Sequence, residues 1–148
     1  MIISNLITAG PLIMIGPGTG VAPFRSIIQS RQNPSAELIL FFGCRGKKLD
    51  LYFASEFPKI TRFNAYSREK DLPREYVNEK ILKNSSLVWE SIMSGAPILI
   101  AGKAQDMPDM VKDAIKEVFV SEGGFDKEQA EQFLNLLEEQ GRLQQETW

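Results

Sequence analysis

The chain has 148 residues, 43% of them hydrophobic and 24% charged, enough for one domain with a substantial core. Its net charge of -2 is scattered, with no basic stripe of the kind that grips nucleic acid. Histidine is absent and Cys44 is the only cysteine, so Ser-His and Cys-His nucleophile pairs, His-based metal sites and an intrachain disulfide are excluded, and no metal is expected.

Met1 to Ile15 is apolar but carries no Lys or Arg and is broken by Asn5, Gly10 and Pro11, which does not fit a signal segment. No run reaches the length of a membrane span, so a soluble, cytoplasmic protein with neither membrane nor nucleic-acid partner is expected. Leu12-Ile13-Met14-Ile15 reads as a short buried strand ending in Gly-Pro-Gly. A helix should follow, with Val21, Phe24, Ile27 and Ile28 on one face and Asn33-Pro34 as its close. Glu37 to Phe42 is the second predicted strand, ended by Gly43, and Leu51 to Phe57 is a candidate short helix. Ile60 to Tyr66 is a third, less regular strand, and Glu75 to Met93 shows broken helical pattern with Gly95 as a stop.

Ile98 to Ala101 is a fourth buried strand. Met107, Met110, Val111, Ala114, Ile115, Val118 and Phe119 then keep i, i+3, i+4 spacing, the clearest helical stripe in the chain. Asp106 can cap that helix, Pro108 suits its first turn, and Gly123-Gly124 ends it. Asp126 with Gln129 predicts a capping box for a last helix that runs to Glu139 and stops at Gly141. Arg142 to Trp148 can form a final edge strand. Strands alternating with helices predict one α/β domain over residues 1–148, a doubly wound, mostly parallel five-stranded sheet with helices on both faces.

The segment Gly16-Pro17-Gly18-Thr19-Gly20-Val21-Ala22-Pro23 joins the first strand to the first helix. Three glycines in five residues allow a tight turn and close approach of a ligand to the backbone. A helix start adds free N–H groups and a positive dipole end, which suit a phosphate or pyrophosphate. A turn of this kind also serves as an ordinary strand-to-helix connection. The pattern is not G-x-G-x-x-G, because Val21 stands where the third glycine belongs, and no Gly-Lys-Ser/Thr follows to make a P-loop. No carboxylate ends the second strand to hold a ribose hydroxyl; Gly43-Cys44-Arg45 stands there instead. Ser67-Arg68, Arg74 and Tyr76 follow the third strand. An arginine fork beside a hydroxyl and an aromatic ring suits a 2′-phosphate and adenine, although a solvated polar loop has the same composition.

Taken together, Gly16 to Arg25, Phe42-Gly43-Cys44-Arg45, Tyr66-Ser67-Arg68-Glu69, Tyr76-Val77, Ala101-Gly102 and Glu146-Thr147-Trp148 resemble the NADP(H)-binding domain of the ferredoxin–NADP reductase superfamily, in its diflavin reductase branch. Within the branch, Ser86 to Glu90, Ala101-Gly102 and the Glu-Thr-Trp ending point to the reductases of cytosolic iron–sulfur protein assembly. Cytochrome P450 reductase and methionine synthase reductase are neighbouring members. The resemblance implies a Rossmann-like sheet of order 3-2-1-4-5, with NADP(H) bound here and FAD and FMN held by domains of a larger reductase.

By the same resemblance, Gly18, Thr19 and Gly20 hold the pyrophosphate, with Arg45 beside the phosphates. Ser67, Arg68, Arg74 and Tyr76 hold the 2′-phosphate and adenosine end, the Arg74 match requiring a one-residue shift in loop length. Gly102 and Lys103 border the nicotinamide, Glu146 belongs to the polar set around hydride transfer, and Trp148 covers the flavin ring. Two departures stand out: P450 reductase-like members carry a cysteine at the position of Ala101 and an acid at that of Lys103. The chemistry belongs to the cofactors, so the chain alone is expected to bind nucleotide without turnover, handing electrons in the intact reductase to an iron–sulfur protein acceptor. The rival class is a non-catalytic NADP(H)-sensing module.

Overall fold

Short apolar runs become β-strands at Leu12, Leu38 and Ile98 in the computed structural model, which describes residues 11–17, 37–44, 60–66, 75–102 and 107–147. For residues 17, 44, 66, 102, 107, 146 and 147 it describes the backbone. The strands are β1 (Leu12–Pro17), β2 (Leu38–Cys44), β3 (Thr61–Tyr66), β4 (Ile98–Gly102) and β5 (Leu143–Thr147). Among the described residues there are four helices: α1 (Val77–Lys83), α2 (Ser85–Met93), α3 (Met107–Gly123) and α4 (Lys127–Glu139). The predicted helix after β1 and the short helix at Leu51 to Phe57 lie outside the described residues, as does the Asp106 cap.

The five strands form one parallel sheet of order β3-β2-β1-β4-β5. Leu12 pairs with Leu38 and Pro17 with Gly43, so β2 continues through Gly43 and Cys44 instead of ending before them. The backbone there pairs on both sides, with β1 at Gly43 and with β3 at Gly43 and Cys44, and that outweighs the weak strand preference of glycine.

Strand residues alternate between two buried faces. Ile13, Ile15, Ile39, Phe41, Ile98, Ile100 and Leu143 face the four helices and share a core with Val77, Ile81, Val88, Ile92, Val111, Ile115, Val118, Phe119, Leu134 and Leu137. Leu12, Met14, Leu38, Leu40, Phe42, Leu99 and Ala101 point the other way and are also buried. A sheet covered on both faces explains why β1 and β2 are apolar throughout rather than alternating. Phe63 of β3 stacks on Phe41 with ring centroids 5.0 Å apart.

Local signals set most helix boundaries. Asn84 breaks the α1–α2 stretch; its side-chain amide donates to the Lys80 carbonyl at 2.9 Å. Gly95 closes α2 with φ of 100° and Gly141 closes α4 with φ of 72°, a region that costs glycine little. The Asp126 carboxylate accepts from the Gln129 N–H at 2.8 Å while Gln129 Oε1 accepts from the Asp126 N–H at 3.0 Å, the reciprocal box expected for α4. On α3 one expectation fails. Met110 keeps the apolar spacing but is 42% exposed, because the helix buries Val111, Ala114, Ile115, Val118 and Phe119 and leaves the flank of that stripe in water.

Candidate nucleotide site

All five strands run the same way, so Pro17, Cys44, Tyr66, Gly102 and Thr147 end on one edge of the sheet. From β1 the chain steps outward to β2 and β3, then returns to the far side of β1 to form β4 and β5. The order therefore reverses between β1 and β4, where Ile15 pairs with Ile100. In doubly wound sheets, such a reversal of order at the carboxyl edge is where ligands are taken. The two segments expected to flank a nucleotide, Gly16 to Gly20 and Gly102 to Gln105, depart from these neighbouring strand ends.

The rim of that edge is lined with small residues. The next-to-last residues of β1, β2, β3 and β4 are Gly16, Gly43, Ala65 and Ala101. On the other side of the switch point, β5 pairs with β4 so that Glu146 stands beside Ala101 and Thr147 beside Gly102. The structure thus brings Gly102 and Glu146 to one corner of the carboxyl edge. Gly18, Thr19, Gly20, Arg45, Ser67, Arg68, Arg74, Lys103 and Trp148 lie outside the described residues, although the strands that lead to Gly18, Arg45, Ser67, Lys103 and Trp148 all end at this edge.

Tyr76 opens α1, which packs on β2 and β3 and begins the return from the carboxyl edge. Its backbone is extended (φ -112°, ψ 161°) and its side chain stays out of the core, the residue being 44% exposed. The Tyr76 N–H donates to Glu79 Oε1 at 3.2 Å, and its carbonyl accepts from the N–H groups of Glu79 at 3.1 Å and Lys80 at 3.3 Å. Glu75, one residue earlier, has a side chain only 15% exposed and pairs with Lys80 Nζ at 3.1 Å and with Lys83 Nζ. Burial pushes the Glu75 carboxyl upward, but hydrogen bonds and charges from Lys83 and Lys80 outweigh it and hold the group below the usual carboxylate value. Sequence reading missed this ion cluster, because Glu75 lies ahead of the helix and its partners sit five and eight residues on, outside the familiar i, i+3 and i+4 spacings.

A family model described as the oxidoreductase NAD-binding domain matches residues 14–113, which run from β1 through the switch point into α3. The chain belongs to that family. It is 44% identical to NADPH-dependent diflavin oxidoreductase 1 of Xenopus laevis and 43% identical to the protein of the same name from Danio rerio. In each case 93% of this chain and 24% of the relative are covered. It is also 39% identical to the sulfite reductase (NADPH) flavoprotein alpha-component of Vibrio parahaemolyticus, over 93% of this chain and 23% of that protein. The chain thus spans about a quarter of the length of these relatives.

Proposed function

We propose that this chain binds NADPH and positions its nicotinamide for hydride transfer to FAD held by another domain, in a diflavin reductase that passes electrons through FMN to a protein acceptor. The observation that carries this reading is the switch point. A glycine-rich segment follows β1 beside β4, at the carboxyl edge where the strand order reverses, the position at which doubly wound sheets take a dinucleotide. Relatives whose names specify NADPH support the choice of cofactor.

The nucleotide supplies the hydride when bound; the residues of this chain bind and orient it. Gly18, Thr19 and Gly20 would offer backbone N–H groups and a hydroxyl to the pyrophosphate, with Arg45 balancing its charge. Ser67, Arg68, Arg74 and Tyr76 would hold the 2′-phosphate and adenosine end. Gly102 and Lys103 would border the nicotinamide, and Glu146, brought beside Ala101 by β5, would complete its polar surroundings. Trp148 would cover the flavin ring of the partner domain until nicotinamide displaces it.

The Ser86 to Glu90 segment and the Glu-Thr-Trp ending support a cytoplasmic iron–sulfur assembly protein as the acceptor. Similarity to a sulfite reductase flavoprotein supports a second reading, in which the acceptor is a sulfite-reducing partner. Calorimetry of the chain with NADP+, 2′,5′-ADP and NAD+ tests the binding role. NADP+ should bind more tightly than NAD+, and Arg68→Ala should cost about 1.5–3 kcal/mol of NADP+ binding while leaving NAD+ almost unchanged. Equal affinities for the two cofactors would overturn the reading.

A further inference from the structure

The segment that delivers Tyr76 is tied down on both sides by acidic side chains that no nucleotide contact requires. Glu75 is drawn onto α1 by Lys80 and Lys83, and Glu79 takes the Tyr76 N–H. Tyr76 itself contributes no ring to the hydrophobic core. Its backbone is therefore held by bonds at residues 75, 76, 79, 80 and 83 while its side chain remains 44% exposed. Fixing the backbone in advance removes the backbone share of the freedom that binding would otherwise cost, leaving only the side-chain torsions of the ring to be ordered.

We infer that Glu75 and Glu79 are positioning residues for Tyr76, holding the backbone from which its ring meets the adenosine end of the nucleotide. The inference rests on the proposed NADPH-binding role and names what tunes that site. The two lysines serve the clamp, since Glu75 engages both of their ammonium groups. The clamp acts through geometry, and its effect depends on the ring being present.

The test is a double-mutant cycle on the 148-residue chain, reading 2′,5′-ADP affinity by calorimetry, with the melting temperature measured alongside. Glu75→Gln and Glu79→Ala should each weaken 2′,5′-ADP binding about three- to fivefold, the scale of a partly exposed charged contact, in chains that remain folded at the assay temperature. Glu75→Asp, which keeps the charge, should recover part of the loss. In a Tyr76→Ala background neither Glu75→Gln nor Glu79→Ala should have any further effect on affinity. Reversing the pairs with Glu75→Lys, Lys80→Glu and Lys83→Glu together should restore binding.

Losses that persist undiminished without the Tyr76 ring, or a charge-reversed chain that binds worse than Glu75→Gln, would overturn the inference. The second result would mean that the lysines meet the phosphate themselves. A wild-type chain that does not bind 2′,5′-ADP would overturn the functional reading, and the inference with it.

Discussion

Gly123, the last residue of α3, offers the sharpest test of how the helix layer is packed. A Cβ placed on it would lie 2.6 Å from Trp89 Cη2, 2.9 Å from Cζ2 and 3.2 Å from Cζ3. The indole has little freedom to retreat. Phe125 stands edge-on at a centroid distance of 5.7 Å, Phe119 at 6.0 Å and Phe133 at 6.4 Å. Gly123→Ala would ordinarily gain up to about 1 kcal/mol from helix propensity, and less at a helix end. Forcing an extra methyl into a packed aromatic cluster costs about 1–3 kcal/mol, and contacts this short belong in the upper half of that range. The net expectation is a loss of about 1–2 kcal/mol, or about 2–8 °C in melting temperature for a chain of this length. Urea and thermal unfolding measure it. In a Trp89→Leu background, where the ring is gone, the same alanine should cost nothing or stabilise. A Gly123→Ala chain as stable as wild type would refute the argument, since it would mean that the cluster yields freely.

Two further outcomes follow from the structure. Asp126→Ala removes one half of the α4 capping box and should cost about 1 kcal/mol in urea unfolding, within a range of roughly 0.5–2. Titration should show the Glu75 clamp at the acid end. Its carboxyl is held below the ordinary value of 4.5, so its contribution is full above that value and is lost as pH falls through the folded pKa; Glu75→Gln should flatten the loss of stability on acidification below that value. The sign reverses for Lys83, raised by its hydrogen bond to Glu75, and for Lys116, raised by that to Glu131. Their contributions are present below the ordinary lysine value of 10.5 and are lost as pH rises through the folded pKa.

What could be read from the chain was whatever is local. The apolar runs at Leu12, Glu37 and Ile98 and the less regular stretch at Ile60 became β1, β2, β4 and β3, and the stripe from Val111 to Phe119 became the buried face of α3. Caps and stops at Asp126, Gly95 and Gly141 also held, because each acts through bonds between residues a few positions apart. The Gly16 to Pro23 segment and the Tyr66 to Arg68 stretch were legible as candidate binding residues, since their chemistry is written in residue type. By contrast, the extension of β2 through Gly43 and Cys44 needed the partners on either side, which no window of sequence contains. The exposure of Met110 depended on which arc of α3 met the sheet and the neighbouring helices.

The same division holds for the site. Sequence named Gly102 and Glu146 as separate candidates 44 residues apart; parallel pairing of β4 with β5 set Glu146 beside Ala101, next to Gly102. The reversal of strand order between β1 and β4, the place where doubly wound sheets take ligands, arises only when the chain has crossed to the far side of β1. Glu75 was an unremarked acid ahead of a helix until folding brought the lysines of α1 to it. Local pattern fixes which residues become strand, helix or turn because its energies act over a few residues. Long-range pairing and packing decide which of those elements meet, and so which side chains share a site.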